Sequence, residues 1–512
     1  MTVQESATIE DQISNEIKTR EYKMYIDGEW TGSESGESLE VVNPATEEEI
    51  ARVPKGTRGD TKAALEAAQK AQGEWEDLSP LQRSRFMQKI ADMIRQDKER
   101  LARILTAEQG KPLYESRQEI EGSAINFEYY AGFARRIEGD VLPSDFPKQS
   151  IMILKLPIGV VASITPWNFP SSTVARKIAP ALITGNTVVT KPSSNTPLST
   201  IELVRIAEKS GLPKGVLNVV TGPGAEIGEE LAVNNITGMV TITGSTASGR
   251  KTMEAASGHV AKVLLELGGK APLIVWKDAD LEWALKCALW ARFWNCGQTC
   301  ICAERMYLHK EIKEKFLAMF VQAARGLKVG DPTDSNTDLG PMVSAKERQT
   351  SESFIQMARD EKDSIIIGGS RPPNLSKGYY LQPTIIEVNN QKSPLIQEEI
   401  FGPIVPLMEI DNLDQAIEYA NDSKYGLSSY LYARDNKVIM RALNKIKFGE
   451  TYVNMVGPEQ FQGAHTGFRQ TGIGAEGSKY GMECYTQLKT CYIDWNDNPS
   501  IPYLFPYAGK SA

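Results

Sequence analysis

Histidine is scarce in this sequence: the 512 residues include only three, His259, His309 and His465. Cysteine is also rare, with six residues in the whole chain. Three histidines leave little material for a zinc site of the Cys/His type. Six cysteines in so long a chain are better explained as reduced thiols than as a disulfide framework. We therefore expect no metal site and no structural disulfides.

Long apolar runs and an excess of positive charge are missing as well. No segment has the roughly 20 consecutive apolar residues that cross a bilayer. The first twenty residues have neither the apolar stretch of a secretory signal nor the Arg-rich, acid-poor composition of a transit peptide. The net charge of -8 disfavours a wide nucleic-acid surface. We expect a cytoplasmic protein that has neither a membrane nor a nucleic acid as its partner.

The length and pattern of the chain predict an α/β protein with more than one domain. A chain of 512 residues is too long for one ordinary core. Apolar residues recur three and four apart from 60 to 78 and from 81 to 110, which is typical of helices. From about residue 158, helical segments alternate with β-branched runs such as NTVVTKP and MVTITGS. This alternation predicts a parallel, doubly wound sheet, and a second α/β unit begins near Gly268.

Two strands of the first unit end in glycine-rich turns, TGPGAEIG at 221 to 228 and TGSTASG at 243 to 249. Glycine at such a turn lets the amides of a helix N-terminus approach a phosphate. Neither turn matches the full dinucleotide fingerprint, and a glycine turn between strand and helix is more often only a connection. The pair together favours a nucleotide site.

Three of the six cysteines lie within FWNCGQTCICAER, as Cys296, Cys300 and Cys302. Their spacing does not match the two-residue gap of zinc ribbons or of thioredoxin-like sites. On the cysteines alone, three small buried apolar side chains are the default interpretation. The neighbouring Gly297 and Gln298 favour a chemical role instead, as does the LLELGGKAP segment discussed next.

Two other segments carry polar groups that suit a reaction. Glu266 is the single acid of LLELGGKAP, a setting that suits a general base, although a salt-bridged core acid has the same pattern. Asn168 of TPWNFP is a neutral amide donor of the kind that a developing oxyanion needs, although the segment is also typical of a proline-bounded strand end. A thiolate, a carboxylate, an amide and a nucleotide site together suggest one reaction.

The motifs ITPWNFP, KPS, TGS, LELGGK, GQTC, EEIFGP and NDSKYGLSS occur in this order from about Met24 to Trp495. This set resembles the NAD(P)-dependent aldehyde dehydrogenase superfamily over nearly the whole chain. The FGETYVN segment, the E-x3-G-x-H-x-G-F-R pattern and WNCGQTCICAER look most like the lactaldehyde and glycolaldehyde dehydrogenases and the archaeal glyceraldehyde dehydrogenases. The resemblance implies two doubly wound α/β domains and a small β oligomerisation element.

The resemblance implies a nucleophile at Cys300, a general base at Glu266 and oxyanion donors at the Asn168 side chain and the Cys300 backbone amide. The thiolate would attack the aldehyde to give a thiohemiacetal, and hydride loss to the nicotinamide would leave a thioester. Glu266 would then activate the water that releases the acid. Cys296 and Cys302 would be bystanders.

The resemblance also implies where the cofactor binds. It places Trp167 and Lys191 near the adenosine, Ser245 near the pyrophosphate, and Glu399 with Phe401 near the nicotinamide ribose. The full set of implied cofactor residues is Thr165, Trp167, Lys191, Ser193, Ser194, Gly224, Gly244, Ser245, Leu267, Glu399 and Phe401. NAD-preferring relatives commonly carry a glutamate at the position of Ser194. Because a serine would not repel a 2′-phosphate, we expect NADP to be preferred and NAD to be accepted.

For the substrate, Arg176, Glu459 and His465 match positions that resemble the polar pocket of the lactaldehyde dehydrogenases. This match implies hydrogen bonds to a 2-hydroxyl and a small hydroxyaldehyde substrate, namely glyceraldehyde, lactaldehyde or glycolaldehyde. The alternatives are succinic semialdehyde, whose carboxylate Arg176 would hold, a broad range of aldehydes, and acyl transfer to coenzyme A. A non-catalytic, crystallin-like protein of the same fold is a further alternative.

The resemblance divides the chain into regions. We expect a flexible N-terminal extension (1–23), a Rossmann-like cofactor domain (24–140 and 158–267), a catalytic domain (268–476), an oligomerisation element (141–157 and 477–498) and a tail (499–512). In related oligomers a late strand such as YTQLKTCYIDW extends a sheet across subunits. We therefore expect a homotetramer built as a dimer of dimers.

Overall fold

The computed structural model describes residues 9 to 497, and two large sheets flanked by helices dominate this part of the chain. Most neighbouring strands in both sheets run parallel, so the α/β class predicted from the sequence is confirmed. The predicted tail from 499 to 512 lies outside the described residues, as do residues 1 to 8. No helix among the described residues has both the length and the apolar character needed to span a membrane.

Helices dominate the N-terminal part of the structure. Its elements are α1 (Ile9–Thr19), β1 (Met24–Ile26), β2 (Glu29–Thr31), β3 (Ser38–Asn43), β4 (Glu48–Pro54), α2 (Arg58–Asp77), α3 (Pro80–Gln96), α4 (Lys98–Gln109), α5 (Leu113–Ala131), β5 (Asp140–Pro143) and β6 (Gln149–Pro157). Capping boxes begin α2 at Thr57 and α3 at Ser79. The periodicity from 81 to 110 is interrupted at Asp97, where φ of -103° and ψ of 13° end α3.

The first helix lies within the region expected to be a flexible N-terminal extension (1–23), and it packs on the rest of the fold. Ile13 and Ile17 of α1 are buried in a small apolar cluster with Val53 and Ile104. Arg100 of α4 adds an ion pair to Glu16 of α1 at 3.0 Å. The polar composition of the segment concealed this packing, because two isoleucines four residues apart form only a narrow apolar stripe.

The first sheet has eight strands in the order β2-β1-β9-β8-β7-β10-β11-β20. Its central elements are β7 (Val160–Ile164), α6 (Ser172–Ile183), β8 (Thr187–Lys191), α7 (Leu198–Lys209), β9 (Leu217–Val219), α8 (Glu229–Val233), β10 (Thr237–Thr243), α9 (Thr246–Ala256) and β11 (Lys262–Glu266). The chain leaves β7 for β8 on one side and later returns to β10 on the other. Ligands of doubly wound sheets bind beyond the carboxyl ends of the strands at such a switch point.

The second sheet has seven strands in the order β14-β15-β16-β13-β12-β17-β18. Its elements are β12 (Ala271–Val275), α10 (Leu281–Phe293), β13 (Ala303–His309), α11 (Lys313–Arg325), α12 (Ala345–Asp360), β14 (Ser364–Ile367), β15 (Thr384–Glu387), α13 (Pro394–Gln397), β16 (Ile404–Ile410), α14 (Leu413–Asn421), β17 (Ser428–Tyr432), α15 (Asn436–Lys445) and β18 (Glu450–Val453). This sheet carries a large apolar core of its own.

The last elements return to earlier parts of the structure. They are β19 (His465–Thr466), β20 (Gly472–Ile473), β21 (Ala475–Glu476), α16 (Ser478–Cys484) and β22 (Thr486–Asp494). β20 joins the edge of the first sheet, whereas β22 pairs along its whole length with β6 in a three-stranded sheet with β5. Leu488 and Tyr492 of β22 are 68% and 78% exposed. The division into domains stays a prediction.

Candidate active site

The residues predicted to bind the cofactor lie beyond the carboxyl ends of neighbouring parallel strands. Thr165 and Trp167 follow β7, Ser193 and Ser194 follow β8, Gly244 and Ser245 follow β10, and Leu267 follows β11. The Thr165 backbone N–H donates to the carbonyl of Lys191 at 3.0 Å, which joins the first two of these ends. The sheet topology therefore brings these segments to one edge.

Lys191 is the last residue of β8 and is buried. Its Nζ donates to the carbonyl of Pro192 at 3.0 Å, and among residues 9 to 497 no carboxylate pairs with it. Burial lowers the pKa of Lys191 to about 8. A buried ammonium group that lacks an anionic partner fits a site for a phosphate or a ribose.

The segment after β8 lies against the first glycine turn. The Ser194 hydroxyl donates to the carbonyl of Gly222 at 3.1 Å, and Gly222 has φ of 151°, a conformation that favours glycine. Gly224 begins the short helical turn Gly224–Gly228. Ser193 accepts a bond from the backbone N–H of Asn195 at 3.3 Å. A serine hydroxyl therefore lies against this glycine turn.

The second glycine turn begins a helix. Ser245 is the N-cap of α9, where its hydroxyl accepts from the backbone N–H of Ser248 at 3.2 Å. Gly244 donates its N–H to the carbonyl of Glu266 at 3.0 Å, so the turn is tied to the end of β11. The N-terminus of this 11-residue helix faces the carboxyl edge of the sheet, as an anion site requires.

Glu399 and Phe401 reach the groove from the second sheet. Glu399 accepts from the backbone N–H of Gly269 at 2.7 Å, and the rings of Phe401 and Trp167 meet edge to face with centroids 5.4 Å apart. Burial and the nearby carboxylate of Glu304 raise the pKa of Glu399 to about 8. The loop of Glu399 and Phe401 therefore contacts the predicted cofactor segment at Trp167.

Two buried charges hold the loop that carries Glu399. Glu304 accepts from the backbone N–H groups of Ile400 at 2.8 Å and Phe401 at 2.7 Å. Arg292 donates to the carbonyl of Gly297 at 3.2 Å and also to the carbonyl of Gly402. This one guanidinium therefore joins the cysteine segment to the loop of Phe401.

The cysteine segment follows α10 in an unusual backbone conformation. Asn295, Cys296 and Gly297 all have positive φ values, of 49°, 56° and 73°. The left-handed conformation costs roughly 1 to 2 kcal/mol for each residue other than glycine. The side chain of Asn295 offsets this cost, because it accepts from Gln109 at 3.0 Å and donates to the carbonyl of Asn168 at 3.0 Å.

The GQTC motif combines a fixed support with an accessible thiol. Gln298 is buried; its side chain donates to the carbonyl of Asn295 at 3.0 Å and accepts from the N–H of Val343 at 2.9 Å. Cys296 and Cys302 are buried, whereas Cys300 is partly exposed. Of the three thiols, the one predicted to be the nucleophile is therefore the one that a ligand can reach.

Two amide donors lie close to Cys300. The Asn168 side chain donates to the carbonyl of Gln298 at 3.1 Å, two residues before the thiol. The backbone N–H of Cys300 makes no hydrogen bond within residues 9 to 497. Lys111 fixes the Asn168 backbone by donating to its carbonyl at 2.8 Å. A side-chain amide and a free backbone amide are the donors that an oxyanion requires.

All predicted catalytic and substrate residues line one cavity of about 410 Å³. Those residues are Asn168, Arg176, Glu266, Cys300, Glu459 and His465. Thr243, Trp294 and Thr299 line the same cavity, and each has a buried polar atom with no hydrogen-bond partner among the described residues. The cavity therefore offers polar groups beyond those of the predicted set.

His465 lies at the centre of the polar side of this cavity. Its Nε2 is 3.2 Å from Glu266 Oε1, and its Nδ1 is 2.8 Å from Glu450 Oε1 and 4.0 Å from Glu459 Oε1. Burial lowers the pKa of His465, but Glu450 and Glu459 outweigh burial and hold the pKa well above its usual range. Burial and the Glu266 carboxylate raise the pKa of the Cys300 thiol, and His465 opposes that rise.

Arg176 is paired with carboxylates on two sides. It contacts Glu459 directly, and its Nη1 lies 3.7 Å from Glu476 Oε2. Burial raises the pKa of Glu459, but Arg176 and His465 outweigh burial and lower that pKa. Glu476 also contacts the buried Lys177. The charge of Arg176 is therefore already compensated within the protein.

Several residues of the site were missed in the sequence. Lys111, Glu119, Glu304, Glu450 and Glu476 are buried or largely buried charges that support the predicted residues. Their only signal in the sequence is a charge within an otherwise apolar stretch, and that pattern does not identify the partner. In chemical terms, the cavity can attack a carbonyl through Cys300, bind the oxyanion with amides and activate water through Glu266.

Comparison with known proteins identifies relatives of this arrangement. Residues 30–491 match the profile of the aldehyde dehydrogenase family. The chain is 46% identical over 477 residues to a D-glyceraldehyde dehydrogenase (NADP(+)) of Picrophilus torridus, covering 93% of this chain and 96% of the relative. It is 40% identical over 474 residues to a lactaldehyde dehydrogenase of Escherichia coli, covering 92% and 98%.

A solved structure gives the same result. A 3,6-anhydro-L-galactose dehydrogenase in complex with NAP superposes with a TM-score of 0.91 at 43% identity. The superposition covers 93% of this chain and all of the other chain. Fold and sequence therefore agree along nearly the whole described chain.

Proposed function

The chain belongs to the aldehyde dehydrogenase family, and we propose that it oxidises a small 2-hydroxyaldehyde to the carboxylic acid, with NADP preferred over NAD. Glyceraldehyde, lactaldehyde and glycolaldehyde are the proposed substrates. The observation that carries the proposal is the polar cluster of Arg176, Glu459 and His465 on the wall of the cavity that exposes Cys300. Charged and hydrogen-bonding groups at this position favour a substrate with a hydroxyl beside its aldehyde.

In the proposed mechanism, the Cys300 thiolate attacks the aldehyde carbon and forms a thiohemiacetal. The Asn168 amide and the backbone N–H of Cys300 stabilise the oxyanion. A bound nicotinamide cofactor supplies the hydride acceptor for the oxidation. Glu266 then takes a proton from the water that attacks the Cys300 thioester. His465, 3.2 Å from Glu266, orients that carboxylate.

The described residues fit a bound dinucleotide. Lys191 is a buried cation for which residues 9 to 497 provide no carboxylate partner, and the N-terminus of α9 at Ser245 can accept an anion. Ser194 and Lys191 would hold the adenosine ribose and its 2′-phosphate, and Glu399 with Phe401 would hold the nicotinamide ribose. The NADP-dependent relative and the NAP complex support this preference.

The alternatives fit the site less well. A succinic semialdehyde carboxylate would compete with Glu459 and Glu476 for Arg176, and it would add a charge to a cavity that is already rich in carboxylates. Acyl transfer to coenzyme A needs no general base, whereas Glu266 lines the cavity. A non-catalytic protein has no physical reason to keep the accessible Cys300 beside the Asn168 amide and a free backbone N–H.

The test is a panel of aldehydes measured with NADP and with NAD. The panel contains D-glyceraldehyde, L-lactaldehyde, glycolaldehyde, propanal and succinic semialdehyde, and Cys300→Ala serves as the control chain. We expect kcat/KM for a hydroxyaldehyde with NADP to exceed that for propanal by at least about 10-fold. A preference for propanal or succinic semialdehyde, or for NAD, would contradict the substrate or the cofactor part of the proposal.

The assembly and location also belong to this proposal. We propose a homotetramer, supported by the exposed apolar side chains of β22, among them Leu488 and Tyr492. Light scattering after gel filtration measures the mass directly, and a monomer would contradict this point. The cytoplasmic location stays a prediction, which cell fractionation can test.

A further inference from the structure

The catalytic cavity brings together three side chains that are common zinc ligands. The Sγ of Cys300, a ring nitrogen of His465 and a carboxylate oxygen of Glu266 all lie within 4.8 Å of one another. Within residues 9 to 497 this is the one group of three or more His, Cys, Asp or Glu side chains placed in this way. We propose that these three residues bind Zn²⁺, and that Zn²⁺ bound there blocks turnover by occupying the nucleophile and the base.

The donor set and its spacing suit zinc. Thiolate, imidazole and carboxylate all bind Zn²⁺, at roughly 2.3, 2.0 and 2.1 Å, so the donor atoms of a tetrahedral site lie roughly 3.3 to 3.6 Å apart. Glu266 Oε1 and His465 Nε2 are already 3.2 Å apart. Cys300 is partly exposed on the cavity wall, which leaves its side chain room to complete the site by a small rotation.

An independent observation is the support behind the histidine. His465 Nδ1 lies 2.8 Å from Glu450 Oε1, so Nε2 is directed at Glu266 and Cys300. Glu450 itself accepts from the hydroxyls of Ser428 at 3.1 Å and Tyr452 at 3.0 Å. Zinc-binding histidines almost always have such a carboxylate on the second ring nitrogen, where it orients the ring and raises its basicity.

The charges around Cys300, His465 and Glu266 also favour a bound cation. Glu266, Glu450 and Glu459 lie within 4.0 Å of His465, and Arg176 is the guanidinium that contacts one of them. Glu476 is paired with Lys177 and contributes little to this balance. Three carboxylates face one guanidinium and the imidazolium of His465, which leaves one excess negative charge, and Zn²⁺ would take the place of the proton on the ring.

The cavity supplies the remaining requirements of the site. The cavity of about 410 Å³ is lined by Glu266, Cys300 and His465 and also by Lys98 and Arg117. An ion can therefore reach the three donor side chains through it. The fourth position of the zinc ion faces this cavity and is open to water or to a substrate hydroxyl. Binding of Zn²⁺ is independent of the proposed function, whereas the block of turnover rests on it.

The test measures binding separately from activity. The reference chain is Cys484→Ser/Cys491→Ser, which removes the two partly exposed thiols outside the cavity. Equilibrium dialysis with Zn²⁺ should give one ion per reference chain, and Co²⁺ should give a thiolate-to-metal charge-transfer band. Cys300→Ser and His465→Gln should each weaken Zn²⁺ binding by at least about 10-fold, and Glu450→Gln by about 10-fold. Cys302→Ser is the matched control and should bind as the reference does.

Two further measurements keep the outcome clear. In the first, iodoacetamide alkylates Cys300 of the folded reference chain, and the alkylated chain should no longer bind Zn²⁺. This measurement does not depend on whether the Cys300→Ser variant folds. Zn²⁺ should inhibit hydroxyaldehyde oxidation in competition with the aldehyde. Absence of Zn²⁺ binding, or equal binding by Cys300→Ser, would overturn the inference; a zinc-free chain that never oxidises aldehydes would overturn only the proposed function.

Discussion

The two sides of the candidate site are built in different ways. On the cofactor side, most of the predicted residues follow successive parallel strands of the first sheet, whose topology brings them to one edge, whereas Glu399 and Phe401 come from a loop of the second sheet. On the aldehyde side, Asn168, Cys300 and His465 come from distant segments that buried hydrogen bonds and ion pairs hold together. We therefore expect substitutions to act locally on the first side and cooperatively on the second.

The largest expected effect is a loss of turnover on the aldehyde side with no change in cofactor affinity. Cys300→Ser should lower kcat by at least about 10³-fold, because a serine hydroxyl at this position has no thiolate character. NADP affinity, measured by fluorescence titration, should stay within about twofold of the original. Cys302→Ser is the control and should retain turnover. Weak NADP binding by Cys300→Ser would show that the two sides are not separable.

The next effect concerns the buried support of the aldehyde side. Lys111 pairs with Glu119 at 2.5 Å in the protein interior, and Lys111→Met leaves that carboxylate without its partner. The expected loss of unfolding free energy is about 3 kcal/mol, measured by urea denaturation. The double variant Lys111→Met/Glu119→Gln should recover part of it. Equal stability of Lys111→Met and the original chain would mean that the pair does not support the site.

Substrate discrimination should change without loss of the nucleophile. Glu459→Gln keeps the shape of the side chain but removes the charge that faces Arg176 and His465. We expect the ratio of kcat/KM for glyceraldehyde to that for propanal to fall by about 10-fold or more. An unchanged ratio, measured with NADP at saturation, would remove Glu459 from the group that recognises the hydroxyl.

A smaller effect is expected on the cofactor side. Ser194→Glu places a carboxylate where a 2′-phosphate is proposed to bind, so the ratio of NADP to NAD in kcat/KM should fall by about 10-fold. Ser194→Gln is the matched control, since it adds the same bulk without charge. A shift of equal size in both variants would attribute the effect to bulk.

The smallest effect is a dependence on pH. Burial lowers the pKa of Lys191 to about 8, so its charged form, which attracts phosphate, prevails below that pH and is lost above it. The KM for NADP should therefore rise severalfold between about pH 7 and pH 9. Lys191→Met should have a high KM throughout and lack this rise. A parallel rise in Lys191→Met would assign the titration to another group.

The same contrast explains what the sequence could predict. The α/β class and the family, both confirmed, follow from strand and helix periodicity and from motifs that are contiguous in the chain. The predicted cofactor positions follow these motifs, because each lies within a few residues of a strand end, and their role stays a prediction. The contacts of His465 with Glu266 and Glu450 could not be predicted from these motifs, because they join residues 199 and 15 positions apart. No local pattern encodes such distances.

The helix α1 and the cluster of Cys300, His465 and Glu266 illustrate the same limit. The spacing of cysteines excluded the common local zinc motifs, but donors from three separate segments meet only in the folded chain. Similarly, Ile13 and Ile17 of α1 give a weak local signal and are buried only because Val53 and Ile104 lie opposite. Both the burial of the isoleucines and the clustering of the donors depend on contacts with residues that are distant in the sequence.

Arg292 links two loops of the candidate site that are distant in the sequence. Its guanidinium holds the carbonyls of Gly297, before the nucleophile, and of Gly402, after the loop that carries Glu399 and Phe401. We expect a ligand that fixes one of these loops to restrict the other through the same side chain. If a dinucleotide and an aldehyde each bind one loop, their affinities would be linked, and reciprocity would require each ligand to change the affinity of the other by the same factor.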